Sequence, residues 1–139
     1  MLQVSKEIAA LATEYKIIVN KITVSARTSP QAQELFDITY AVSVDLVANP
    51  EFLKQGFAVQ DFMKPQRVVI GSSSEYAIAQ LQKLYAPYMR TGNHYEIMDC
   101  VSAELNKGAS SAFLPTKISF MNEIANYCEL VGANVDHIR

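Results

Sequence analysis

The run KIIVNKITV at residues 16–24 decides the fold class. It is short and dominated by β-branched residues, the pattern of a strand largely buried within a parallel sheet. Upstream, Val4, Ile8, Leu11 and Tyr15 recur at helical spacing and predict an amphipathic helix over residues 3–14. Downstream, Thr28, Ser29 and Pro30 supply an N-cap and an early-helix proline before QAQELF, a short helix ending near Asp37. VSVDLV at residues 42–47 reads as a second strand, terminated by Asn49 and Pro50. Helix, strand, helix and strand joined by short links is the pattern of an α/β fold with a parallel sheet.

Further along, residues 51–56 read as a polar turn, FAVQDFM as a short helical stretch, and RVVIG at residues 67–71 as a third strand. Ser72 to Ser74 cap a helix whose predicted apolar face is Tyr76, Ile78, Leu81, Leu84 and Tyr85, ending before Pro87. A turn at Thr91, Gly92 and Asn93 leads into a brief strand over residues 95–98. From Asp99 to about Val131 the pattern is helical, with apolar residues on more than one face, as for a helix covered on two sides. Pro115 removes one helix hydrogen bond at a cost of about 3 kcal/mol and predicts a kink near Ser111. Gly132 to Asn134 end that helix, and residues 135–139 resemble the first turn of another.

Composition excludes several function classes. The 139 residues are 50% hydrophobic and carry a net charge of -2 with no basic run, so neither disorder nor nucleic-acid binding is expected. No stretch approaches the roughly 18 apolar residues of a membrane span, and the start lacks a signal-peptide core; both predict a cytoplasmic protein without membrane contact. Cys100 and Cys128 form no CxxC and have no paired histidine, and they read as buried thiols. His94 and His137 lack metal-ligand spacing, so no metal is expected. The 5 glycines form no GxGxxG or GxxxxGK[ST] cluster that could cradle a phosphate.

Segments in this order resemble the UDP-glucose 6-dehydrogenase family of nucleotide-sugar dehydrogenases. They are NPEFLKQG at residues 49–56 followed by DFMKPQRVVIG at 61–71, LYAPYMRTGN at 84–93, and SAELNKGASSAFLPTKISFMNEIANYCELVGANVDHIR from 102 to the end. NKITVSART at residues 20–28 is similar to the family's strand and turn bearing a KSTVP motif. The resemblance covers essentially the whole chain. It implies the second half of a Rossmann-like parallel-sheet domain followed by a long central helix. Residues 1–98 would form the C-terminal half of the NAD-binding domain, and residues 99–139 the central helical dimerisation region. The family's GxGxxG start and its GGxC motif, which carries the catalytic cysteine, are not in this sequence.

The resemblance also implies roles. The family oxidises the C6 alcohol of UDP-glucose to a carboxylate by two hydride transfers to NAD, through a thiohemiacetal and a thioester on the cysteine. Such a sequence needs a cation for oxyanions, an amide to orient water, and carboxylates for protons. Lys107 matches the family's active-site lysine, and Ser111 stands one turn on, where the family has asparagine. Glu51 matches the carboxylate near the nicotinamide, and Gln55 replaces a second acid; glutamine hydrogen-bonds but accepts no proton at neutral pH. Thr23 falls on the threonine that reaches the cofactor and the catalytic water. Phe52, Leu53, Lys54 and Gln55 fall on the turn that grips the sugar nucleotide, with Lys107 also expected to touch it. A homodimer through the helix at residues 99–131 is implied. Without its glycine fingerprint and thiol the chain alone is expected to be inactive. The alternatives are a non-catalytic, degenerate dimerisation module, which Gln55, Ser111, Gly108 and Pro115 favour, and a segment of another nucleotide-sugar dehydrogenase.

Overall fold

A computed structural model describes residues 2–39, 43–89 and 92–139. Val42 and Thr91, predicted to open a strand and a turn, lie outside the described residues. The chain divides into two compact units, Met1–Lys107 and Gly108–Arg139.

In the first unit the elements follow the order α1 (Leu2–Leu11), β1 (Lys16–Asn20), α2 (Thr28–Thr39), β2 (Val44–Ala48), α3 (Ala58–Met63), β3 (Arg67–Gly71), α4 (Glu75–Tyr85) and β4 (His94–Met98). A 3₁₀ turn, Ala86–Tyr88, follows α4, and the first turns of α5 (Cys100–Val131) complete the unit. The strands form one sheet in the order β1-β2-β3-β4.

The pairs β1–β2 and β3–β4 are parallel, as predicted, whereas β2 meets β3 antiparallel through Ala48 and Gly71. Helix length explains the difference. A parallel return must travel back along the sheet, and α2 with 12 residues and α4 with 11 are long enough to do so. The 6 residues of α3 rise only about 9 Å, short of a five-residue strand at about 17 Å, so β3 starts where β2 ends and runs back.

Side chains alternate across the sheet. Val44 and Leu46 pack with Ala32 and Phe36 of α2, and Ala48 and Val69 pack on Ala103 of α5. Val47, Val68 and Ile70 face the other way, onto Ala77, Leu81 and Tyr85 of α4. The buried face of α4 is therefore rotated from the predicted one: Tyr76 and Leu84 are exposed, and Ala77 takes the central place. Ser74 caps α4, its hydroxyl accepting from the Ala77 amide. Among the residues of α1 whose side chains are described, Ser5 is buried, while Val4, Ile8 and Leu11 are exposed; α1 packs against α2.

Strand β1 stops at Asn20, short of the predicted Val24. Its partner β2 ends at Ala48, and the last rung is the Asn49 amide donating to the Asn20 carbonyl at 2.8 Å. The next rung would use the Ile22 amide, and the Asn20 side chain takes that donor at 3.3 Å and turns the chain away. Thr23 consequently sits on an exposed loop and not on a strand.

The second unit holds the rest of α5, which continues through Pro115 without a break. Gly132, at φ +74, closes α5 by letting the Ala133 amide reach back to the Cys128 carbonyl at 2.9 Å. A 3₁₀ turn, Val135–His137, follows, capped by Asn134. No helix of the described residues is long and apolar enough to cross a membrane.

Candidate active site

The sheet topology gathers one cleft. Because β2 and β3 are antiparallel, the segments leaving β1 and β2 and the starts of β3 and β4 lie toward the same end of the sheet. A cavity of about 520 Å³ opens there, lined among others by Lys21, Asn49, Glu51, Phe62, Arg67 and Tyr85. Ligands of open α/β sheets bind beyond the carboxyl ends of strands, and the ends of β1 and β2 supply part of this wall.

The segment NPEFLKQG at residues 49–56 forms one side, and its shape is local chemistry. The Phe57 amide donates to the Lys54 carbonyl at 3.0 Å, closing a turn whose third residue, Gly56, has φ +86, a value suited to glycine. Asp61 at the start of α3 accepts from the Lys54 amide at 2.9 Å and anchors the turn.

Two of the predicted residues meet. Lys107 Nζ lies 3.9 Å from Glu51 Oε1, with side chains 15% and 32% exposed, a loose pair that leaves both groups free to bind a further partner. The Phe52 ring is the common neighbour, with Lys107 Nζ 5.1 Å and Arg67 Cζ 4.5 Å from its centre. Arg67 itself pairs with Glu96 at 3.3 Å, and Glu96 also lies 3.3 Å from His94 Nε2. A nearly buried ammonium beside a carboxylate at a cleft can stabilise a developing oxyanion and manage a proton.

Leu53 and Lys54 line the cleft, whereas Gln55 is exposed in the turn. Thr23 is exposed on its loop, and Ser111 is exposed in the second unit. Cys100 is not a poised nucleophile: burial pushes its thiol pKa up, and Sγ donates to the Gly71 carbonyl at 3.1 Å. Among the described residues no cluster of three or more His, Cys, Asp or Glu could hold a metal.

Reading by sequence missed Lys21, Asn49, Arg67 and Tyr85 as cleft residues, although each lies within a segment quoted for the resemblance. Their signal was spacing to partners far along the chain, which no local pattern carries.

A dinucleotide needs a glycine turn opening a helix to hold its diphosphate. The glycines here serve otherwise. A Cβ on Gly71 would stand 2.5 Å from Ala103 Cβ, so that glycine admits α5; Gly56, Gly92 and Gly132 take positive φ, and Gly108 lies inside α5. The described residues do not form a diphosphate cradle.

A mostly parallel sheet, helices on both faces and a cleft at the strand ends define half of a Rossmann-like dehydrogenase domain, followed by a long helix. The sequence matches the NAD binding domain of the UDP-glucose/GDP-mannose dehydrogenase family over residues 1–89 and that family's central domain over residues 101–139. The chain belongs to this family.

It is 40% identical to UDP-glucose 6-dehydrogenase of Pseudomonas aeruginosa, over 100% of this chain and 32% of that protein. It is 42% identical to UDP-glucose 6-dehydrogenase TuaD of Bacillus subtilis, over 96% of this chain and 29% of that protein. Among solved structures it resembles a UDP-glucose dehydrogenase from Pyrobaculum islandicum, with a TM-score of 0.82 and 32% identity, covering 99% of this chain and 31% of that one. The chain thus spans about a third of the length of these relatives.

Proposed function

We propose that this chain is the middle of an NAD-dependent UDP-glucose 6-dehydrogenase, whose whole form oxidises UDP-glucose to UDP-glucuronate in two steps. The observation that supports this reading is the Glu51–Lys107 pair on the rim of the cleft, in two segments that resemble the family's own. Lys107 stabilises oxyanions on the reacting carbon, and Glu51 manages protons beside it. Phe52, Leu53, Lys54 and Gln55 hold the sugar nucleotide, and Thr23 reaches the cofactor and the water. Ser111 replaces an amide and orients water less well. When bound in the whole enzyme, NAD would supply the hydride acceptor, and its diphosphate would be held by residues other than those described.

The 139 residues alone lack the glycine fingerprint and the nucleophile motif, and we infer that they do not turn over. Residues 1–98 serve as the C-terminal half of the NAD-binding domain. Residues 99–139 pair two copies into a homodimer through the helix at 99–131, in the cytoplasm.

A second reading, a non-catalytic dimerisation module, is favoured by Gln55 and Ser111 at the two positions where the family carries a second acid and an amide. A segment of a dehydrogenase for a different sugar is a third, because sugar choice rests mostly on residues outside this sequence.

Titration of UDP-glucose into the purified chain separates these. The first reading expects measurable binding, reduced by Lys107→Met, and no NADH formation when NAD is added. Binding unaffected by Lys107→Met removes the proposed site, and NADH production refutes the inactivity of the chain. Sedimentation velocity over a range of concentrations tests the dimer, which a strictly monomeric chain defeats.

A further inference from the structure

Lys21 carries a charge that none of the roles above employs. It follows Asn20, the last residue of β1, as Asn49 follows Ala48, the last residue of β2. Asn20 and Ala48 are register partners in a parallel pair, so the fold sets Lys21 beside Asn49. The Lys21 ammonium donates to Asn49 Oδ1 at 3.0 Å and to the Tyr85 hydroxyl at 2.7 Å. It lies 5.4 Å from the centre of the Tyr85 ring and 5.8 Å from that of Phe62. Among the described residues no carboxylate pairs with it.

The bonds continue in one direction, toward Glu51. Tyr85, the last residue of α4 and 8% exposed, donates its hydroxyl proton to Asn49 Oδ1 at 2.6 Å. Asn49, 2% exposed, donates Nδ2 to the Val69 carbonyl of β3 at 2.7 Å, and its backbone amide to the Asn20 carbonyl at 2.8 Å. Two donors on the amide oxygen and an acceptor on the amide nitrogen permit only one orientation of this side chain. Pro50 comes next, its ring restricting φ, and Glu51 follows directly. The backbone that carries Glu51 therefore starts from a residue tied to β1, β3 and α4 at once, and the one charged member of that tie is Lys21. Hydrogen bonds from an ammonium are stronger than neutral ones and hold both acceptors in a fixed geometry.

We propose that Lys21, acting through Tyr85 and Asn49, is a positioning residue that fixes the start of the 49–56 segment and so holds Glu51 and the Phe52 ring against Lys107. Its importance for catalysis rests on the function proposed above; its effect on geometry does not. A purely stabilising lysine would lower the melting temperature when removed and leave the Glu51, Phe52 and Lys107 arrangement intact once the protein is folded.

The experiment uses the whole 139-residue chain, labelled for nuclear magnetic resonance, and reads the cross-peak between the Lys107 side-chain methylenes and the Phe52 ring protons. Lys21→Met removes the charge, Tyr85→Phe removes one oxygen from the relay and keeps the ring, and Lys21→Arg retains the donors. Amide resonances of α2 and β4 confirm folding in each sample; should Lys21→Met fail to fold, Tyr85→Phe decides. The expected result is loss of the cross-peak in Lys21→Met and Tyr85→Phe and its retention in Lys21→Arg. A cross-peak at native strength in folded Tyr85→Phe overturns the proposal, as does its loss in all three variants, which would make any disturbance of the cleft sufficient. UDP-glucose added to the same samples reports separately on the proposed function: failure of the unaltered chain to bind it removes that reading and leaves the cross-peak test standing.

Discussion

Glu104 Oε1 accepts two hydrogen bonds from Ser29, one from its amide and one from its hydroxyl, each at 2.7 Å. The two residues are 4% and 1% exposed and join the first turns of α5 to the start of α2. A carboxylate at a helix amino terminus meets unpaired amides and the positive end of the dipole, so this contact caps α2 from another element.

Glu104→Ala leaves both Ser29 donors buried without an acceptor. With hydrogen bonds to charged groups contributing about 1.5–3 kcal/mol, the expected loss of unfolding free energy is about 3 kcal/mol. Urea denaturation of Glu104→Ala, Ser29→Ala and the double variant measures it. The two losses should be strongly non-additive, and independent losses would show that the bonds are not the source.

Gly71 admits Ala103 against the sheet, with only 2.5 Å available between a Cβ at 71 and Ala103 Cβ. Gly71→Ala should destabilise by about 1–3 kcal/mol, the usual range for overpacking a closed contact. Adding Ala103→Gly should recover part of that loss. A melting temperature unchanged by Gly71→Ala would mean that α5 does not approach β3 so closely.

Tyr15 donates to Asp45 Oδ2 at 2.7 Å, and its pKa is pushed up to about 12 by partial desolvation and then by the Asp45 carboxylate. A phenol whose folded pKa exceeds its unfolded value of about 10 favours folding fully below pH 10. That contribution disappears as the pH rises toward 12. Stability should therefore fall across this window, and Asp45→Asn should bring the Tyr15 titration, followed by ultraviolet absorbance, back toward pH 10. An unchanged titration curve in Asp45→Asn would remove Asp45 as a cause.

Lys107→Met should weaken UDP-glucose binding by about tenfold, equivalent to about 1.4 kcal/mol, if its ammonium faces the ligand. Calorimetric titration checks it, with Lys117→Met as the control on an exposed part of α5. Equal affinities for the two variants would place Lys107 on the solvated surface that a lone helix lysine ordinarily occupies.

Much of this was legible in the residues. RVVIG gave β3 with both ends correct, Ser74 marked the start of α4, and Gly132 marked the end of α5. Each is written in a few adjacent residues, where branching, side-chain capping and positive φ act over one turn. The candidate site was legible in part, through NPEFL and Lys107. KIIVNKITV is β-branched to its end and so predicts Thr23 on a strand, yet β1 stops at Asn20, whose side chain takes the Ile22 amide out of the ladder.

By itself the sequence determined the α/β class, the order of elements and the family resemblance, since periodicity, caps and motifs are local or read in order along the chain. Tertiary structure decided the antiparallel meeting of β2 and β3, and with it the cleft. That reversal brings Arg67 beside Phe52, the neighbouring strand ends bring Lys21 to Asn49, and the end of α4 brings Tyr85 there. These partners are distant in sequence, and their contact exists only after α2 and α4 have crossed the sheet and α3 has proved too short to do the same.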